Sequence, residues 1–149
     1  MEVRELFKFA SPAEVLVAMK VYTCSFHGSN LWELGSNMSK QVFNAWGTAV
    51  RLAWNVPRAT RSYFVDNSLS LGLTSVRVDI LSKYVGFFQG LIQSPCPEIS
   101  FMAFLVGRDL RTTTGRNLRL VREASGLDPW VCSSRQIKAD LAKRVAAVP

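Results

Sequence analysis

Arg116, Arg119 and Arg122 fall at i, i+3 and i+6 in "GRNLRLVREASG", along one flank of a helix whose other side presents Leu118 and Val121. A row of guanidiniums at that pitch can follow a phosphate backbone, because each planar fork donates paired hydrogen bonds to phosphate oxygens. The opposing reading is a solvated helix face that Glu123 partly neutralises. Just upstream, "RDLRTTTGRN" reads as a basic loop with threonine hydroxyls and backbone amides near Arg108 and Arg111. That composition suits phosphate contact and is also common in solvated loops.

Other chemistries lack their residues. A two-metal polymerase or nuclease site needs clustered carboxylates, since two cations about 4 Å apart share anionic ligands. No two of the eleven acids are adjacent in sequence. Cys24, His27, Cys96 and Cys132 would total a Cys₃His zinc set, but their gaps far exceed those of zinc knuckles and fingers. Reduced thiols and an ordinary histidine are the expectation. Cys24 with His27 has no orienting carboxylate nearby in sequence for nucleophilic catalysis. "TTTGRN" has one glycine and no lysine, so it is no phosphate-binding glycine loop. The expectation is a chain without catalysis, metal or cofactor, whose chemistry is binding.

The bulk numbers agree with a folded, basic domain. The 149 residues suffice for one core, and 48% apolar with 19% charged residues is globular rather than disordered. A formal charge of +7 favours an anionic partner. The charge is uneven: residues 1–107 carry nine Lys/Arg against seven acids, a net of +2, and residues 108–149 carry nine against four, a net of +5. Residues 34–65 form a second basic region, with Lys40, Arg51, Arg58 and Arg61 and no acid. Three cysteines cannot all pair within one chain, and "MEVRELFKFA" has no apolar leader core. No apolar run approaches the roughly 18 residues that span a bilayer. An intracellular chain with no membrane partner is expected.

Helices must position these groups, and the periodicity is helical nearly throughout. "SPAEVLVAMKVYTCSF" opens on a capping box, Ser11 with Glu14, and has Pro12 at the first helical position. Val15, Met19, Tyr22 and Phe26 make its apolar face, and Gly28 and Ser29 end it. The next helix runs from about Ser36 to Trp54. Its polar residues Gln41, Asn44, Thr48, Arg51 and Asn55 form one narrow stripe, which predicts a helix buried on most sides. Asn55-Val56-Pro57 stops it, and Thr60 is a plausible N-cap for a short helix to about Leu69. In "SVRVDILSKYVGFFQGLIQS" the apolar face is Val76, Ile80, Tyr84, Phe87, Phe88 and Leu91. Asp79 and Lys83 are an i,i+4 pair, and Gly86 and Gly90 suit close helix approach. Short helices from about Glu98 to Val106 and from about Arg116 to Ser125 follow, the latter stopped by Gly126. Ser133 and Gln136 cap a basic C-terminal helix over about 133–147, with Ile137, Leu141 and Val145 inward. The fold class is all-α: a single domain, 1–149, built as an irregular bundle of about five to seven helices.

Four blocks in order, "FHGSNLWEL", "AWGTAVRLAWNVPRATR", "ILSKYVGFFQGLIQS" and "GRDLRTTTGRNL", resemble one region of LINE-type (non-LTR) retrotransposon polyproteins. That region follows the catalytic palm of the reverse transcriptase, in the thumb and C-terminal segment. Gly28, Ser29, Leu31 and Trp32 match a Tyr-Gly-Ser-x-Leu-Trp stretch, with His27 in place of Tyr. Trp46 and Arg51 match a Trp-Asn-x-x-x-Arg helix, with Gly47 in place of Asn. Pro57 and Thr60 match a Leu-Pro-x-x-Thr-His turn, with Arg61 in place of His. Phe87, Phe88 and Ser94 fit an aromatic helix ending in Ser. Asp109, Arg111, Gly115 and Asn117 match an Asp-x-Arg-Ser-x-x-Gly-x-Asn motif, with Thr112 in place of Ser. The likeness covers about residues 20–125. The palm with its Ala-Asp-Asp motif and the upstream endonuclease have no counterpart here, so the chain looks like the tail of such a polyprotein.

The resemblance implies a helical thumb that packs beside a palm and grips a template–primer hybrid. The chain is then a non-catalytic fragment of an RNA-directed DNA polymerase, weakly binding an RNA or RNA–DNA backbone. The candidate phosphate contacts are Arg51, Arg58, Arg61, Arg108, Arg111, Arg116, Arg119 and Arg122, with Lys40 marginal. The alternative is a helical protein-interaction module, in which an apolar patch meets a palm and fingers domain or a second copy of the chain.

Overall fold

The computed structural model describes residues 8–24, 26, 28–60 and 76–147. Among them lie six α-helices, one 3-10 turn and no strand, as the helical periodicity predicts. The helices are α1 (Pro12–Cys24), α2 (Asn37–Ala53), α3 (Val76–Ile92), α4 (Pro97–Arg108), α5 (Thr113–Ser125) and α6 (Ser134–Ala147), and the 3-10 turn is Ser29–Leu31. The short helix from Thr60 to about Leu69 falls outside the described residues.

Local chemistry sets most of the ends. Ser11 and Glu14 form the reciprocal capping box, Ser11 N–H donating to Glu14 Oε2 at 2.7 Å and Glu14 N–H to Ser11 Oγ at 3.3 Å. Ser133 and Gln136 repeat it before α6, at 2.9 and 3.2 Å. α1 stops at Cys24, short of the Gly28 expected to end it; Gly28, at φ 79°, opens the 3-10 turn instead. α2 ends in a Schellman arrangement just ahead of Pro57, with Trp54 as its C-cap. Asn55 takes φ 54°, and the N–H groups of Asn55 and Val56 bond to Leu52 O and Arg51 O at 3.2 and 2.8 Å.

α3 is the central helix. Val76, Val78, Ile80, Leu81, Tyr84, Val85 and Phe88 are buried, and α6, α4, the 3-10 turn, α2 and α5 all pack around it. Leu34, Ala103, Leu118, Val121, Ile137 and Leu141 complete this core. A smaller cluster joins Val15 and Met19 of α1 to Val50 and Ala53 of α2, and Trp46 touches both clusters.

Two expectations reverse. α2 was the helix expected to be mostly buried, yet it buries only Ser39, Val50 and Ala53, and Met38 and Leu52 are exposed. A narrow polar stripe does not enclose a helix; neighbours do, and α2 has α1 against its C-terminal half and limited contact with α3. Gly86 and Gly90 are not close-approach points either. A Cβ on Gly86 would meet only Ser134, at ordinary contact distance, and one on Gly90 would meet open space. The close approach is at Gly107, where a Cβ would lie 2.7 Å from Phe88 and 2.9 Å from Trp130. Asp79 reaches across to α6, with Lys138 Nζ 2.6 Å from its Oδ1, and so clasps α3 to α6.

Candidate nucleic-acid interface

The motif Asp109-x-Arg111-Thr112-x-x-Gly115-x-Asn117 is a joint between α4, α5 and the segment that follows the 3-10 turn. Thr112 is the N-cap of α5: its Oγ1 accepts from Gly115 N at 3.0 Å and lies 2.6 and 2.7 Å from Val106 O and Asp109 O, which share its one proton. The Thr-Thr-Thr-Gly stretch read as loop is therefore the cap and first turn of α5. Gly115 packs on the Asp109 carbonyl oxygen so closely that a Cβ there would overlap it. Asp109 accepts from Arg111 N, Nε and Nη2 at 2.9–3.2 Å. The Arg111 side chain first, then its backbone N–H, holds the Asp109 carboxyl below the usual carboxylate range, and the Asp109 carboxylate raises Arg111 in turn.

Asn117 reaches furthest. It is 1% exposed; its Oδ1 accepts from Leu34 N at 2.9 Å and its Nδ2 donates to Trp32 O at 2.7 Å. Beside it, Arg116 Nε lies 2.7 Å from Glu33 Oε1. The first and last motif blocks, more than 80 residues apart in sequence, thus meet at one seam. Phe26 closes it from the other side, edge-on to Trp32 and Trp46 at centroid distances of 6.2 and 5.9 Å.

The arginine row does not act as one row. Arg116 turns to Glu33, Arg111 O and Thr113. Arg119 pairs with Glu123 on its own helix at 2.8 Å. Arg122 is exposed and has no ion-pair partner among the described residues. Arg108, at the end of α4, lies with its guanidinium carbon 4.3 Å from the Phe104 ring centroid and 5.7 Å from that of Trp130. In the second basic region, Arg51 donates from Nε and Nη2 to Thr60 O at 3.1 and 2.8 Å, which holds the chain leaving α2. Its guanidinium lies over Gly47, where a Cβ would sit 3.1 Å from Nη1. Arg58 and Lys40 are exposed, and Arg61 lies outside the described residues.

What converges is a smaller set. Arg108, Arg119 and Arg122 line one cleft of about 700 Å³ between the end of α4, α5 and the α5–α6 loop. Trp130 forms part of its wall, edge-on to Phe88 and Phe104 at 5.0 and 5.8 Å, with Glu123 and Asp128 also on the rim. Gln89 fixes that wall by donating to Pro129 O and Cys132 O at 3.1 and 2.6 Å. Sequence reading passed over Trp130. Its one signal was the turn "LDPWVC", in which Asp128 Oδ1 accepts from Trp130 N at 3.0 Å.

No group of three or more His, Cys, Asp and Glu that could hold a metal occurs among the described residues. Cys96 and Cys132 are half-buried free thiols, and His27 lies outside the described residues. Cys96 Sγ is 3.0 Å from Glu98 Oε2, and this contact, with a backbone N–H, lowers the Glu98 carboxyl from its ordinary value. No helix among the described residues is long and apolar enough to cross a membrane. Comparison of the chain with family models, curated proteins and solved structures returns no match.

Proposed function

We propose that this chain is a non-catalytic helical module that grips a nucleic-acid backbone. In this reading it is the thumb-like fragment of a retrotransposon RNA-directed DNA polymerase. The observation that carries the binding is the convergence of Arg108, Arg119 and Arg122 on one cleft beside Trp130. Guanidiniums supply the phosphate contacts, and an indole beside them offers a stacking surface for a base. The joining of the first and last motif blocks through Asn117 supports the resemblance, because it gives their residue types a shared structural purpose.

The test is fluorescence anisotropy of a labelled RNA–DNA hybrid with the full chain at two salt concentrations. Three phosphate contacts give a log–log salt slope of about −2.7 per bound chain, an affinity loss of about fortyfold between about 50 and 200 mM salt. Arg119→Ala with Arg122→Ala should bring the slope to about −0.9. Absence of binding at low salt, or a slope unchanged in the double variant, would refute the reading.

One observation favours the interaction-module reading as well. α4 turns a continuous apolar stripe to solvent, with Phe101, Met102 and Leu105 all exposed.

A further inference from the structure

A second cavity, of about 170 Å³, lies between the 3-10 turn, α3, α4 and the start of α5, and shares no lining residue with the arginine cleft. Phe87, Phe88, Leu91 and Val106 give it apolar walls. Leu31 and Phe87, 80% and 39% exposed, mark its mouth. Asn30, Tyr84, Thr113 and Thr114 add uncharged polar groups, and no carboxylate, guanidinium or ammonium group lines it.

Two of these polar groups lack what buried polar groups ordinarily have. Asn30 Oδ1 is shut off from solvent and has no hydrogen-bond partner among the described residues. Tyr84 is 3% exposed, and its hydroxyl has no partner among them either. The Asn30 amide is bonded at neither end there, so turning it toward the cavity forfeits no hydrogen bond.

Size and chemistry narrow the occupant. Water takes about 30 Å³ of liquid volume per molecule, so several would be needed to fill the space. Each would want two to four polar partners, which walls of Phe, Leu and Val do not supply. An apolar cavity of about 150 Å³ instead stays dry and takes benzene, so one planar ring system fits here. The lining offers no charge to offset the desolvation of an ion, which makes the ring neutral. An N–H donor on the ring answers Asn30 Oδ1, and an acceptor beside it answers the amide N–H or the Tyr84 hydroxyl. An amino group next to a ring nitrogen presents that edge, in the way a carboxamide meets adenine.

We infer that this cavity is a binding site for a neutral, amino-bearing heteroaromatic ring of which adenine is the type. The ring lies against Phe87 and Phe88, with its amino edge on Asn30 and Tyr84. The inference does not rest on the backbone-gripping cleft, because a free base and an unpaired base of a strand carry the same ring.

Adenine titrated into the isotope-labelled full chain, followed by nuclear magnetic resonance, tests it. Saturable shifts should appear at Asn30, Tyr84, Thr113 and Thr114, with a Kd on the order of 10⁻³ M for a ligand of about ten heavy atoms. Purine, which lacks the amino group, should bind about tenfold more weakly. Asn30→Leu, close to asparagine in size, should abolish that difference. Tyr84→Phe should weaken adenine severalfold with the fold intact, so the test stands even if Asn30→Leu disturbs the 3-10 turn. An adenine oligonucleotide that moves the same resonances more tightly than free adenine identifies a strand as the source, and weaker binding identifies the free compound; either supports the site. Three results would each overturn the inference: no saturable shift up to about 10 mM adenine, which would leave the cavity to ordered water, equal binding of adenine and purine, or shifts confined to the Arg108–Trp130 cleft.

Discussion

Replacing Asn117 with alanine tests whether the last motif is a structural joint. Two hydrogen bonds would be lost, and their consequences differ. The Leu34 N–H is buried and would have no acceptor, a loss of about 1–3 kcal/mol. The Trp32 carbonyl belongs to a half-buried residue that water can reach, so its loss is nearer 1 kcal/mol. The total is about 3 kcal/mol, which lowers Tm by about 6–12 °C in a domain of this size. Glu33→Ala is the internal control. It removes the pair with Arg116, whose side chains are 44% and 45% exposed, worth less than about 1 kcal/mol after solvent screening.

Asn117→Asp sharpens the test. A carboxylate keeps the acceptor for Leu34 N–H but cannot donate to Trp32 O, whereas the protonated acid can do both. Burial raises the folded-state pKa of this acid above its unfolded value of about 3.9. The variant should therefore lose stability as pH rises through that window and recover it below about pH 4. Thermal unfolding followed by circular dichroism between about pH 3 and 7 measures both effects. An Asn117→Ala melt within about 2 °C of wild type would refute the joint, as would an Asn117→Asp deficit that does not shrink on acidification.

Gly90→Ala should stabilise the chain by about 0.5–1 kcal/mol, since its Cβ enters open space on a regular helix; a lower denaturation midpoint in urea would contradict this. Asp109 has a folded-state pKa held below its unfolded value, so its contribution is present above about pH 4 and is lost as pH falls through the lower folded value. The difference in melting temperature between wild type and Asp109→Asn should then be constant near neutrality and close in strong acid; a gap that persists there would count against the Arg111 bonds as its cause.

The sequence was informative where the physics is local. Ser11 with Glu14, Ser36, Ser133 with Gln136, and Gly126 each mark a helix end that the structure has. The start of α5 was equally local, but it lay in an unrecognised Thr112-x-x-Gly115 cap. Exposure was less legible, because it depends on what packs against a helix. Met38 and Leu52 are apolar and exposed, whereas Ser39 and Ser82 are polar and buried. The arginine candidates show the same limit: periodicity aligned Arg116 with Arg119 and Arg122, and only folding brought Glu33 to the first of them. Trp130 and Arg108 became neighbours through the Gly107 contact, which has no pattern in the sequence.

The seam at Asn117 constrains substitution unequally on its two sides. Its partners there are main-chain groups of residues 32 and 34, which every amino acid except proline at 34 supplies. The bonds therefore tolerate change on that side of the seam, while at neutral pH no other side chain of this shape both accepts from one group and donates to the other. Arg116 with Glu33 obeys the opposite rule, since exchanging the two charges would preserve the attraction. In any lineage that keeps this fold, position 34 should stay apolar for the core rather than for the bond, positions 33 and 116 should change in compensated pairs, and position 117 should scarcely change.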